Sequence, residues 1–231
     1  MALRALINPG DEVIYHEPCY VSYSPSIVLT HGKAVPVACT VETSFTVSAK
    51  AIEQAVTPRS RVLVLNFPTN PTGGTMTREA LIEIVDVAER HNLIVIADEI
   101  YAELTFEGEH TSITALPGMK DRTIFLHGFS KAYAMTGWRI GYAAGPEEII
   151  KAMKKIQGQS TSNPSSISQA AALEAISGDQ SFINMMVEAF ERRHNFLVDS
   201  LNAIDGIECP KSRGAFYSFP RVQGLIDRLG L

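Results

Sequence analysis

Cysteine is scarce: Cys19, Cys39 and Cys209 are the only three in 231 residues, far apart and without a C-x-x-C pair. A scattered, odd set excludes a disulfide framework and a structural zinc site, and a reducing, cytoplasmic setting is the expectation. Long apolar runs are missing too. The stretch Leu93-Ile94-Val95-Ile96-Ala97 is among the longest, whereas a membrane-spanning helix needs about 20 residues. Cationic excess is absent: 25 acidic residues against 20 basic ones give a net charge of -5. Neither nucleic acid nor an anionic membrane surface is therefore an expected partner. No internal repeat, low-complexity tract or Gly/Ser-rich linker divides the chain.

What remains is an ordinary globular composition, 45% apolar and 19% charged, sufficient for one or two domains at about 150 residues each. Periodicity sets the fold class. Arg61 to Asn66 and Leu93 to Asp98 are β-branched, Leu-rich runs of the kind buried on both faces of a parallel sheet. Between them Thr77 can cap a helix whose Leu81, Ile84, Val85 and Ala88 form one apolar stripe, completing a β-α-β unit. Further strands are predicted at Glu12 to Tyr15, Lys33 to Val37, Thr123 to His127 and Ile140 to Ala144, and helices at Pro146 to Ile156 and Ser166 to Ile176. The expected fold is α/β, a mainly parallel sheet flanked by helices.

A long helix from Phe182 to Ile204 is expected to bury Met186, Phe190, Leu197, Leu201 and Ile204, and beyond Gly206 the composition becomes turn-rich. The division predicted is a large domain over 1–180, an interdomain helix over 181–204 and the start of a smaller α+β domain over 205–231. Leu3, Leu6 and Ile7, stopped by Pro9-Gly10, read as the end of a helix rather than a signal peptide, and the chain is expected to be truncated at both ends.

In an open α/β sheet the ligand site lies beyond the carboxyl ends of the strands. There the sequence places Asn66-Phe67-Pro68-Thr69-Asn70-Pro71-Thr72-Gly73, then Asp98-Glu99-Ile100-Tyr101, then His127-Gly128-Phe129-Ser130-Lys131, followed by Thr136-Gly137-Trp138-Arg139-Ile140-Gly141-Tyr142. In that order and spacing these segments resemble the class I/II aminotransferases of fold-type I, enzymes dependent on pyridoxal 5'-phosphate (PLP). Glu17-Pro18-Cys19-Tyr20 and Arg213-Gly214-Ala215-Phe216-Tyr217 extend the resemblance over nearly the whole chain.

The resemblance implies a role for each residue. Lys131 would carry PLP as a Schiff base and then shuttle a proton between substrate and cofactor carbons. Asp98 would pair with the protonated ring nitrogen. Asn70 and Tyr101 would donate to the phenolic oxygen, and Tyr20 would stack on the ring. Arg139, helped by Ser130, would bind the phosphate through its planar fork. It further implies amino-acid and 2-oxo-acid substrates and a homodimer. A lyase or synthase on the same scaffold, or a noncatalytic PLP-binding sensor domain, are the other readings of the same residues.

One position departs from the family pattern: Gly128 stands where many relatives have a phosphate-binding serine. The family's Gly-rich phosphate cup and its carboxylate-binding arginine are expected to lie outside Met1 to Leu231. Three neighbours of the motif residues take structural readings. His127 is expected to be a satisfied interior histidine, Trp138 a packing residue beside the strand that presents Arg139, and Glu99, pointing away from Asp98, a structural carboxylate.

Overall fold

The computed structural model describes Met1 to Leu231. Its six strands are β1 (Glu12–Glu17), β2 (Lys33–Ala38), β3 (Ser60–Asn66), β4 (Ile94–Asp98), β5 (Thr123–Gly128) and β6 (Gly141–Ala144), ordered β2-β1-β3-β4-β5-β6 in one sheet. All neighbours are parallel except β5 and β6, which run antiparallel. Each predicted strand is present. Strand order turns back between β1 and β3, since β2 lies to one side of β1 and β3 to β5 lie to the other. Such a reversal leaves a crevice at the strand ends.

Eight helices complete the fold: α1 (Ala2–Leu6), α2 (Tyr23–Val28), α3 (Ala49–Ala55), α4 (Arg78–Arg90), α5 (Glu147–Gly158), α6 (Ser166–Ser177), α7 (Ser181–Asn202) and α8 (Gln223–Leu229). Alternation along the strands divides the core into two layers. Leu63, Leu65, Val95 and Ala97 face α3 and α4, whereas Val62, Val64, Ile96 and Ile124 face the side occupied by α1, α2 and α5. Thr77 caps α4 as its sequence requires, its side chain accepting from the Ala80 N–H at 3.2 Å.

The buried face of α7 differs from expectation. Met186 and Phe190 do pack inward, but the residues that become fully buried further along are His194 and Val198, while Leu197 is 44% exposed and Ile204 lies beyond the helix. The reason is a partner distant in sequence: His194 Nε2 accepts from the Ser212 N–H at 3.0 Å, fixing the C-terminal segment along α7. That segment also adds backbone pairing to the β4 side, with Ala215 N–H donating to Leu104 O at 2.7 Å.

Candidate active site

At the carboxyl ends of the central strands lies a cavity of about 470 Å³, lined among others by Tyr20, Asn70, Asp98, Tyr101, Lys131 and Arg139. Ser130 also lines it, so all seven residues singled out from sequence converge on one cavity. Its volume is that of a small-molecule pocket.

Register places Asp98. Asn66 and Asp98 are paired across β3 and β4, and both strands end there. Asn66 then holds the following turn: its Nδ2 donates to Asp98 O at 2.8 Å, and its Oδ1 accepts from the Asn70 N–H at 3.1 Å. The Asp98 carboxylate accepts from Tyr23 Oη at 2.7 Å and from the Ile100 N–H at 3.3 Å. Burial raises its pKa above the ordinary carboxylate range, and these two donors oppose the rise. A half-buried carboxylate with only neutral donors favours a cationic partner.

Lys131 follows β5. Its Nζ lies 5.7 Å from the centre of the Tyr101 ring and 5.4 Å from that of Phe216, so the amine rests against aromatic faces. Tyr101 is itself buried, and its hydroxyl meets that of Tyr217 at 2.6 Å. Tyr20 stands at the rim, 43% exposed, with its ring edge-on to Tyr23 at 5.7 Å.

Arg139 stands at the entrance to β6, next to the strand predicted from Ile140. It lies just before β6 in the left-handed region, at φ 50° and ψ 48°, with Nη1 donating to Thr136 O at 2.8 Å. Thr136 Oγ1 in turn donates to Ser130 O at 2.9 Å, so the loop carrying Lys131 and Arg139 is stitched across itself. Trp138 is 45% exposed and therefore contributes little packing, although its carbonyl accepts from Ser168 Oγ at 2.8 Å. Gly128 has a steric basis: a Cβ there would lie 3.0 Å from Gly141 Cα and 3.2 Å from Ile140 O, where β5 and β6 approach.

His127 is buried with both ring nitrogens engaged, by Glu103 at 3.1 Å and by the Gly128 N–H at 2.8 Å, and it also lines the cavity. Glu99 points away from the cavity. It accepts from Ser112 Oγ at 2.8 Å and pairs with His110 at 2.6 Å, tying down the loop after β4.

The donor set is chemically specific: one amine, one half-buried carboxylate, phenol and amide donors, and one guanidinium around a single cavity. The model of the family described as Aminotransferase class I and II matches residues 1–228. The chain belongs to the class I and II aminotransferases.

Similar aminotransferases include the aspartate/prephenate aminotransferase of Cereibacter sphaeroides, 47% identical over 98% of this chain and 58% of that protein. The aspartate aminotransferase of Rhizobium meliloti is 43% identical over 99% of this chain and 56% of its own length. Among solved structures, the aspartate aminotransferase from Rhizobium meliloti superposes with a TM-score of 0.93 at 44% identity, covering 96% of this chain and 56% of that one. The aromatic aminotransferase from Pyrococcus horikoshii superposes at 0.92 with 39% identity, covering 95% and 60%. The chain thus spans less than two thirds of the length of these relatives. No helix is long and apolar enough to cross a membrane.

Sequence reasoning assigned no role to Tyr23, Asn66 or Tyr217. Asn66 carried a usable signal, being the last residue of a strand beside the one ending in Asp98. The two tyrosines did not, because their partners lie 75 and 116 positions away.

Proposed function

We propose that the full-length protein is a PLP-dependent aminotransferase that moves an amino group between an amino acid and a 2-oxo acid. The observation that carries this reading is the meeting, in one cavity, of the Lys131 amine on the Tyr101 and Phe216 rings with the Asp98 carboxylate held by Tyr23. The half-buried Asp98, whose hydrogen-bond donors are neutral, fits the ring nitrogen of PLP.

When bound, PLP supplies an electron sink for the substrate's α-carbon. The chain's residues do the rest. Lys131 Nζ would be the point of attachment for the cofactor and would take and return the proton at the substrate carbon. Asp98 favours protonation of the ring nitrogen. Asn70 and Tyr101 would donate to the phenolic oxygen, Tyr20 would cover the ring, and Arg139 with Ser130 would hold the phosphate.

The large domain is assigned to 1–180, the interdomain helix to 181–204 and the start of the small domain to 205–231. Aspartate is the first amino donor to test, since similar proteins carry it in their names. A homodimer is proposed on the exposed apolar side chains of α6 and α7, Ile167 at 73%, Leu173 at 63% and Phe196 at 74%. The cytoplasm is the proposed location.

Borohydride reduction of the PLP-loaded full-length protein, followed by peptide mass mapping, is expected to label Lys131; a label on another lysine overturns the assignment. Incubation with aspartate and several 2-oxo acids separates the readings of the reaction. New amino acid formed in step with oxaloacetate supports transfer, elimination products favour a lyase, and binding without turnover favours a sensor.

A further inference from the structure

Tyr101 and Tyr217 meet hydroxyl to hydroxyl at 2.6 Å, with ring centres 5.7 Å apart and planes crossed at 74°. Both line the cavity that holds Lys131 and Asp98. The contact is built into the backbone: Gly214 bridges to Thr105, and the Ala215 N–H donates to Leu104 O at 2.7 Å. The C-terminal segment is therefore anchored on the turn that follows Tyr101, and Tyr217 is fixed at its end.

A phenol has one proton to donate and lone pairs to accept. In a pair this close one hydroxyl gives and the other receives. If Tyr101 gives its proton to Tyr217, it turns lone pairs toward the cavity and repels an anionic oxygen there. If Tyr217 gives, the Tyr101 proton is free for that oxygen, and each hydroxyl in the chain polarises the next.

We propose that Tyr217 is a positioning residue, which by donating to Tyr101 Oη directs the Tyr101 proton to the phenolic oxygen of bound PLP. The inference rests on the cofactor reading above. It assigns the C-terminal segment a part in setting the acidity of the site, although Tyr217 acts only through Tyr101.

The test is the pH dependence of the absorption of the PLP-loaded full-length protein. A donor to a phenolate oxygen favours its ionised form, so Tyr101→Phe is expected to move the midpoint up by about 1 unit. Tyr217→Phe is expected to move it in the same direction by about 0.1 to 0.3 units, the share of the Tyr101 bond that a polarising neighbour contributes. The double variant is expected to match Tyr101→Phe alone, because Tyr217 has nothing left to act through. Placing 3-fluorotyrosine at position 217 keeps the shape but strengthens the donor, and is expected to lower the midpoint; it also serves if Tyr217→Phe folds poorly. An unchanged midpoint with 3-fluorotyrosine, or additive shifts in the double variant, overturns the proposal while leaving the cofactor reading in place. Wild-type protein that takes up no PLP overturns the cofactor reading and the proposal with it.

Discussion

Tyr23 donates its hydroxyl proton to Asp98 Oδ2 at 2.7 Å, joining the first turn of α2 to the end of β4. The bond crosses from the β1 side of the sheet reversal to its β4 side, between two residues that line the cavity. Burial pushes Asp98 toward its neutral form, and Tyr23 is the stronger of the two donors that resist. Tyr23→Phe is thus expected to raise the Asp98 pKa further. In the full-length protein the acid limb of the activity profile should move to higher pH, and PLP affinity should fall by at most about tenfold, because the Tyr23 bond to Asp98 is lost from the free and the loaded protein alike. Equilibrium binding and a pH profile check both; an unmoved acid limb would dissociate Tyr23 from the charge of Asp98.

Asp98→Ala removes the carboxylate itself. Lys131 and Arg139 keep their places on a separate loop, so PLP uptake should weaken less than turnover, which loses the group favouring a protonated ring. Comparing the PLP dissociation constant with kcat for the same variant separates the effects. Turnover near the wild-type rate would leave the aspartate without the proposed role.

Away from the site, Glu12 is fully buried and accepts from Thr57 Oγ1, Lys33 Nζ at 3.0 Å and Arg59 Nη2 at 3.1 Å. The Thr57 hydroxyl, then Lys33 and Arg59, hold its carboxyl down to about 2 against the opposing effect of burial. A carboxyl depressed in the fold stabilises it above the ordinary value near 4.5, and that stability is lost as pH falls toward about 2. His16 acts at higher pH. Burial pushes its imidazole down from 6.5 to about 4, so folding stability should be fully present above pH 6.5 and decline as pH falls toward about 4. Urea titrations should show Glu12→Gln flattening the lower decline and His16→Phe the upper one.

The parts of the fold that could be read in sequence are those fixed by local pattern. Val62 to Leu65 and Val95 to Ala97 are apolar at every position because helices cover both faces of β3 and β4, and Thr77 caps its own helix. Asn70, Asp98, Tyr101 and Lys131 were legible because they end or follow strands that the sheet brings side by side, and Arg139 because it lies eight positions beyond Lys131 in the motif. Relationships set by distant partners were not. His194 is polar and still becomes the buried residue of its turn, since Ser212 supplies a donor to its ring. An apolar stripe therefore misassigned Leu197, and the same limit hid Tyr23 and Tyr217 from any reading of spacing.

Gly73 shows how the turn after β3 and the C-terminal segment constrain each other. Its φ is +70°, a left-handed conformation that costs a residue with a Cβ about 1 to 2 kcal/mol. A Cβ would also stand 2.4 Å from Ser212 Cβ and 2.6 Å from Gly214 O. Neither neighbour is free to retreat: His194 holds the Ser212 N–H, and Gly214 adjoins the backbone bond from Ala215 to Leu104. Conformational and steric costs together should make Gly73→Ala destabilising by about 2 to 4 kcal/mol. Ser212→Gly removes one of the two clashing groups, so the double variant should recover part of that loss, giving a coupling energy of about 1 kcal/mol in a double-mutant cycle. Chemical denaturation of the four proteins measures it. Simple additivity would mean that the turn and the segment yield independently, and Tyr217 would then lack the firm anchorage its position implies.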